Sequence, residues 1–281
     1  MASTLPTLTL YRIDGACSLV VHITLHELAI PFTSTRMVIN PTTRKPEAAD
    51  GSLTSQDYMR TIHPNGQVPA LKVQLPSSLS PLSSSSSSSS SSPRSNPNSG
   101  PELDEGDKEV VITETPAILL YLASLFPERY LAGATTLERA QVTSWLCFLS
   151  TSVHGQGYGP LSHPDRYIAR GDGGRQYPQA QGDMERAVRE AGRRSIEGFY
   201  RQVEGRLPAC EENKGGQGFF AVSGRLTVVD FYLYLFYRWG RDDLGINMGQ
   251  LHSRWTALAK KLEGMPSVKT AVWLERVGSS F

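Results

Sequence analysis

The segment that decides the fold spans residues 63–75 and has the sequence HPNGQVPALKVQL. Its second half places an apolar side chain at every second position from Leu71, which is the period of a β-strand. Proline removes a hydrogen-bond donor from a strand, and Pro69 is best explained if the Val68–Pro69 bond is cis. A cis bond would turn the backbone N–H and C=O of Val68 outward, ready to pair with an extended peptide as another strand would.

The chain before this segment has the pattern of a β–α–β unit. Leu8 and Leu10 alternate with more polar residues and predict a first strand, which ends before Asp14-Gly15. Apolar positions between 17 and 29 predict a buried helix, and residues 33–38 predict a second strand. The polar stretch 40–57 is predicted to be a long loop before a short helix near Tyr58.

The chain after the segment is interrupted before the sheet continues at the predicted strand 109–113. Residues 76–108 contain ten consecutive serines at positions 83–92, with prolines on both sides and an acidic patch. So little apolar content cannot offset the entropy of ordering, so this insertion is predicted to be disordered. Loop closure costs grow only logarithmically with length, which lets a hairpin carry it. A phosphorylated serine switch is the functional alternative.

The remainder of the chain predicts helices. Residues 117–126 are strongly apolar, and the break PERYLAGA that follows is interpreted as a linker. The predicted domains are therefore residues 1–130, with α/β structure in the order βαβαββα, and residues 135–281, all helical. Thr227 and Asp230 are spaced as a capping box at the start of one of these helices.

Composition excludes several classes of protein. The net charge is +1 and hydrophobic residues make up 39% of the chain, so a core is expected and a nucleic-acid partner is not. No apolar run approaches the roughly 20 residues that span a bilayer, and the first residues do not resemble a secretory signal. Three scattered cysteines argue against a disulfide framework. The expectation is a cytoplasmic protein that does not bind membranes.

Two predicted helix starts carry chemistry. Cys17 lies where unpaired backbone N–H groups and the helix dipole favour an anion, so its thiol is expected to have a lowered pKa. Ser18 offers a neutral hydroxyl donor beside it. At the second start, Thr115 is predicted as the N-cap and Pro116 as the first helical residue. Glu114, just before them, is placed to pair with a ligand's ammonium group.

Four motifs in order give the chain a resemblance to a known family. They are GACSL at 15–19, HPNGQVPAL at 63–71, ETPAILLYL at 114–122 and PERYLAG at 127–133. The sequence resembles the glutathione S-transferase superfamily over nearly its whole length apart from its insertions. The resemblance implies a thioredoxin-like N-terminal domain that binds glutathione and an all-helical C-terminal domain that binds substrate.

The resemblance also implies roles for single residues. The stretch Gln67-Val68-Pro69 would bind the backbone of the glutathione cysteine, with Val68 making the contact. Glu114 and Thr115 would bind the γ-glutamyl end, Thr115 standing where the family usually has Ser.

Within the superfamily, GACSLVVHITL most resembles the bacterial beta class and its fungal Cys-type relatives. In that class the residue matching Cys17 contacts the glutathione sulfur. The stretch WLCFLSTSVHGQGYGPL implies a substrate site near Cys147, His154 and Tyr158. Cys147 replaces a common Asn. Tyr11 stands where other transferases keep an activating tyrosine, and it ranks third after Cys17 and Ser18.

The spacing of His22 and His26 raises the question of a metal. The zincin pattern needs a Glu directly after the first His, and Ile23 stands there instead. No metal site is therefore predicted, and His22 is interpreted as a packed helix residue.

Several functions stay open on the sequence alone. The leading hypothesis is a glutathione-dependent transferase that acts on a small hydrophobic electrophile, with glutathione as co-substrate, and the family implies a homodimer. The alternatives are a glutathione-dependent cis/trans isomerase, thiol–disulfide exchange through Cys17, and a non-catalytic interaction protein.

Overall fold

The structure is a computed structural model that describes residues 5–75, 109–168, 178–208 and 220–277, with side chains in the third range from residue 181. The predicted disorder of 76–108 falls outside these ranges, as does Cys210. The five strands are β1 Thr7–Arg12, β2 Thr33–Ile39, β3 Pro46–Ala48, β4 Ala70–Gln74 and β5 Glu109–Thr113. The α-helices of the first half are α1 Ser18–Glu27, α2 Ser55–Thr61 and α3 Thr115–Ser124.

The later helices are α4 Thr136–Cys147, α5 Gly159–Ser162, α6 Pro178–Arg206, α7 Val228–Arg238, α8 Met248–Leu251, α9 Ser253–Glu263 and α10 Pro266–Leu274. Short 3₁₀ turns lie at Pro127–Arg129 and Pro164–Tyr167, and π-helical turns at Phe148–Tyr158 and Trp239–Asp243. None of the helices in the described ranges is both long and apolar enough to cross a membrane.

The strands form one mixed sheet in the order β3-β2-β1-β4-β5. β1 and β2 are parallel, and the intervening α1 makes the predicted β–α–β unit. β4 runs antiparallel to both β1 and β5, so the two strands that flank the serine insertion are paired. These predictions are confirmed.

One strand was absent from the sequence prediction. β3 is three residues long and pairs with β2 at the edge of the sheet, inside the stretch predicted as loop. Its partner register includes Pro46 opposite Ile39, and a proline in so short a run hides the alternation on which a strand prediction depends. Asn40 makes the turn before it, since its Oδ1 accepts from the backbone N–H groups of Thr42 and Thr43.

Contacts divide the chain into two compact units. The first, called here the sheet unit, contains residues 1–12 and 31–113, and the second, the helical unit, contains residues 13–30 and 114–281. The helical unit thus includes α1 and α3 with the later helices. The division at residues 130–135 stays a prediction.

The core of the helical unit is built from large aromatic and apolar side chains. Those with less than two per cent of their surface exposed include Trp255, Tyr200, Tyr232, Phe231 and Phe236. The predicted capping box at the start of α7 is present, because Asp230 Oδ2 accepts from the Thr227 N–H at 2.8 Å. The other oxygen of Asp230 accepts from Ala221 N–H at 2.8 Å and ties the preceding loop to the helix.

Candidate active site

The loop before α1 is closed by Ser18. Its Oγ donates to the carbonyl of Ile13 at 3.0 Å and accepts from the Ile13 N–H at 3.2 Å. Ser18 is fully buried. The expectation that Ser18 offers a free hydroxyl donor for a thiol is wrong, because the hydroxyl hydrogen is already used to close the loop.

Gly15 in the same loop is held on both sides. Its N–H donates to Glu275 Oε2 at 2.8 Å, and its C=O accepts from Trp239 Nε1 at 2.9 Å. Its φ is +72°, and an added Cβ would lie 3.1 Å from Val277 Cγ1. Only glycine fits this position without strain.

Cys17 is the N-cap of α1, as its sequence position predicts, and it is buried. Burial raises the pKa of the Cys17 thiol to about 11, and the side-chain hydrogen bond with Thr115 opposes that rise only in part. The expected lowered pKa is therefore wrong: loss of hydration outweighs the helix N-terminus. At neutral pH the Cys17 thiol therefore holds its proton.

The start of α3 differs by one residue from the prediction. The N-cap is Glu114, and Thr115 is already helical, so the assignment of Thr115 as N-cap is wrong. Glu114 has φ 69° and ψ 119°, a conformation that side chains with a Cβ rarely adopt. Its carboxylate is exposed, whereas the Thr115 hydroxyl is buried and turned toward Cys17.

The helices α1 and α3 pack together, and the Thr115 side chain interacts with the Cys17 thiol, so two helix N-termini lie near each other. Each N-terminus carries unpaired N–H groups and the positive end of a helix dipole. The arrangement favours an anion at this point of the helical unit.

Tyr232 completes this cluster and was missed on the sequence. It is one per cent exposed, and burial raises its pKa far above the ordinary value, a rise that the neighbouring side chains of Thr115 and Ser150 oppose only in part. In the sequence it is one of five aromatic residues in the run FYLYLFY, and only the position of Thr115 in space distinguishes it.

The sheet unit holds the remaining glutathione-site candidates. The Val68–Pro69 bond is cis, as predicted. The carbonyl of Gln67, next to it, accepts from the Tyr58 hydroxyl at 2.6 Å. Tyr11 is buried with its ring centroid 5.6 Å from that of Tyr58, and burial raises the pKa of Tyr11.

A cavity of about 590 Å³ lies within the helical unit beside Gly15 and Ala16, the two residues before Cys17. Tyr158 and Trp239 line it, with ring centroids 4.9 Å apart. Of the three predicted substrate residues, Tyr158 alone is among the lining residues. His154 packs behind it against Trp239, with ring centroids 5.6 Å apart, and burial lowers the pKa of His154. Cys147 is exposed at the end of α4.

His22 and His26 form a hydrogen-bonded pair on α1. Their Nε2 atoms are 3.2 Å apart, and the Nδ1 of His22 lies 2.8 Å from Glu275 Oε1. His22 is buried, as its interpretation as a packed residue predicts. Within the described ranges no three His, Cys, Asp or Glu side chains are grouped so as to hold a metal ion.

Comparison with known sequences places residues 15–125 in the family described as "Glutathione S-transferase, N-terminal domain". The glutathione S-transferase GstA of Escherichia coli O157:H7 is 31% identical over 157 residues, which is 56% of this chain and 57% of that protein. The match thus spans little more than half of GstA. GST-4.5 of Xanthomonas campestris pv. campestris is 26% identical over 243 residues, 86% of each chain.

The chain is also similar to solved structures of glutathione S-transferases. The beta-class glutathione S-transferase of Sphingomonas chungbukensis is 25% identical, with 96% of this chain and 100% of that one covered and a TM-score of 0.63. A sphingomonad glutathione S-transferase in complex with glutathione matches with 25% identity, the same coverage and a TM-score of 0.60. Ure2p in complex with glutathione is 18% identical with a TM-score of 0.62 over 96% of each chain, a likeness of fold alone. The predicted thioredoxin-like and helical architecture is confirmed.

Proposed function

We propose that this chain, which belongs to the glutathione S-transferase superfamily, is an enzyme that activates glutathione for attack on a small hydrophobic electrophile. The observation that carries the proposal is the position of Cys17 beside the Thr115 side chain, where the packed helices α1 and α3 both begin. Such a point stabilises negative charge, and a thiolate and an α-carboxylate are the two anionic groups that glutathione brings there.

The parts of glutathione are assigned as follows. Glu114 and Thr115 take the γ-glutamyl end, and the strained backbone of Glu114 supports this, since strain of this kind is concentrated at binding sites. Within the sheet unit taken by itself, Val68, between Gln67 and the cis-Pro69, is assigned to the backbone of the glutathione cysteine on the family resemblance. The sulfur lies at the start of α1.

In the proposed reaction the glutathione thiol releases its proton to solvent and Cys17 donates a hydrogen bond to the resulting thiolate. The thiolate then forms a carbon–sulfur bond with the electrophile, and the leaving group departs with the electron pair of its own bond. A donor that is already in place when charge develops lowers the barrier, and hydrogen bonds to charged groups are the strong ones.

The protonation state of Cys17 argues against thiol–disulfide exchange but leaves isomerisation open. Thiol–disulfide exchange needs a thiolate as nucleophile, whereas a thiol with a pKa of about 11 is almost wholly protonated at neutral pH. Addition of glutathione to a conjugated bond needs the glutathione thiolate alone, so isomerisation would use the same donor. The products separate these two reactions.

The test is conjugation of glutathione with chlorodinitrobenzene, followed by absorbance and by mass spectrometry of the product, together with retention on immobilised glutathione. The expected result is retention and a thioether product formed with release of chloride. A chain that neither binds glutathione nor forms the thioether contradicts the proposal. Glutathione recovered unchanged beside a rearranged conjugated substrate would favour the isomerase.

The proposal extends to a homodimer in the cytoplasm, on the family resemblance. Light scattering after size-exclusion chromatography measures the mass in solution. A mass of one chain at micromolar concentration contradicts the dimer.

A further inference from the structure

The cavity beside Gly15 and Ala16 has the size of a small-molecule site. Its volume of about 590 Å³ falls within the range of ligand-binding cavities. Every residue that lines it belongs to the helical unit. Leu19, Leu235 and Val277 supply apolar surface, so a ligand with a hydrophobic body is favoured.

The aromatic residues of the cavity offer ring faces rather than polar atoms. The Tyr158 hydroxyl is 2.7 Å from the Tyr200 hydroxyl, which in turn donates to the carbonyl of Phe236. The Trp239 Nε1 donates to Gly15. With their polar atoms engaged elsewhere, Tyr158 and Trp239 contribute aromatic surface to the lining of the cavity, and aromatic rings attract planar and cationic groups.

The charges around the cavity are unequal. Asp14, Asp242 and Asp243 line it together with a single base, Arg238, so three negative charges face one positive charge. Arg238 is four per cent exposed and lies 3.4 Å from Asp242, which also pairs with Arg241 at 2.7 Å. The charge of Asp242 is therefore offset from two sides.

Asp243 differs from Asp242. It is exposed at the edge of the cavity, and no Lys, Arg or His of the described ranges lies within ion-pair distance of it. Partial burial and the neighbouring Asp242 raise the pKa of Asp243, and the charge of Arg238 opposes that rise only in part. A cationic group of a ligand would add to this partial compensation.

We infer that this cavity selects planar electrophiles that carry a cationic or hydrogen-bond-donating substituent, and that Asp243 is the residue that makes the selection. The inference rests on the proposed function, because it names the class of electrophile for that reaction. An anionic substituent would meet the same carboxylate, whose charge Arg238 compensates only in part, and would be disfavoured.

The test compares two chloronitrobenzenes with glutathione as the nucleophile, one with a trimethylammonium substituent and one with a sulfonate. Each kcat/KM is divided by the uncatalysed rate of the same compound, which removes the difference in intrinsic reactivity. This ratio is expected to be at least about tenfold larger for the cationic compound. The reason is the Coulomb attraction between its charge and one carboxylate that solvent shields only in part.

Two variants of Asp243 test whether this residue causes the preference for the cationic compound. Asp243→Asn is expected to reduce the preference by about threefold or more, and Asp243→Lys to reverse it. Asp165→Asn removes an exposed aspartate that does not line the cavity, and it should leave the preference unchanged.

The inference about Asp243 and the proposed transferase function fail on different results. Equal rates for the two compounds, or an Asp243→Asn preference equal to that of Asp165→Asn, would overturn the inference while the transferase function stands. Failure to turn over either compound or chlorodinitrobenzene would overturn the proposed function, and the inference with it.

Discussion

The Nδ1 atom of His22 lies 2.8 Å from Oε1 of Glu275, a residue 253 positions later in the chain. The other carboxylate oxygen of Glu275 accepts from Gly15 N–H, so one buried side chain connects the middle of α1 with the loop that precedes Cys17. His22 and Glu275 are both buried, so their contact is shielded from water.

Replacement of Glu275 therefore tests the support of the site. Glu275→Ala leaves the Gly15 N–H and the His22 ring without their acceptor in a buried place, and we expect the free energy of unfolding to fall by about 3 kcal/mol. Glu275→Gln keeps one acceptor oxygen and should lose less. Urea unfolding followed by circular dichroism measures both. A loss of under about 1 kcal/mol for Glu275→Ala would show that the contact is dispensable.

Glu114 provides a test in which stability and binding change in opposite directions. Its φ of 69° is strained for glutamate and less strained for glycine, which has no Cβ, so Glu114→Gly should raise the free energy of unfolding by up to about 1 kcal/mol. The same change removes the carboxylate proposed to hold the γ-glutamyl group, and glutathione affinity should fall at least about tenfold.

Calorimetric titration with glutathione and urea unfolding give the two quantities. Glu114→Gln keeps the Cβ and the strained backbone but loses the negative charge, so it isolates the effect of the charge on glutathione affinity. Unchanged affinity in both variants would remove Glu114 from the binding site.

The raised pKa of Cys17 predicts its reactivity. Below a pKa of about 11 the thiolate fraction grows tenfold for each pH unit, so alkylation by iodoacetamide should rise steadily between pH 6 and pH 9 without a plateau. The rate is followed by mass spectrometry in a variant with Cys147→Ser and Cys210→Ser, which removes the other thiols. A plateau beginning near pH 6 would instead indicate the activated thiolate expected from the sequence.

Asp230 is the most heavily bonded carboxylate at a helix start in the described part of the chain. Asp230→Ala removes the acceptor for Ala221 N–H and Thr227 N–H, both at 2.8 Å. We expect a loss of about 2–4 kcal/mol in the free energy of unfolding, since the change removes a cap and leaves buried donors unpaired. Glu190→Ala, at an exposed position of α6, should lose under about 0.5 kcal/mol in the same urea titration. Similar losses in the two variants would contradict the role of Asp230.

Much of the fold follows from local signals. The alternation at β4, the cis-Pro69 and the apolar α1 and α3 are each determined by residues that are neighbours in the sequence, and all are found in the structure. The three-residue β3 was missed because an edge strand of that length has no period to detect.

The site was less predictable, for a physical reason. The dipole at the start of α1 is visible in the sequence, but the burial that raises the pKa of Cys17 depends on side chains from distant elements. Ser18 was wrongly predicted to donate to a thiol, because its hydroxyl donates to the backbone carbonyl of Ile13 instead. Tyr232 was overlooked because it is one of several aromatic residues on α7.

The central claim is that Cys17 acts as a neutral donor to the glutathione thiolate. The most direct measurement is the ultraviolet thiolate absorbance of glutathione bound to the Cys147→Ser, Cys210→Ser variant, titrated with pH. The expected thiol pKa of bound glutathione is at least about one unit below that of free glutathione. Adding Cys17→Ala should return it toward the free value. A bound pKa equal to the free value, or one unaffected by Cys17→Ala, would contradict it.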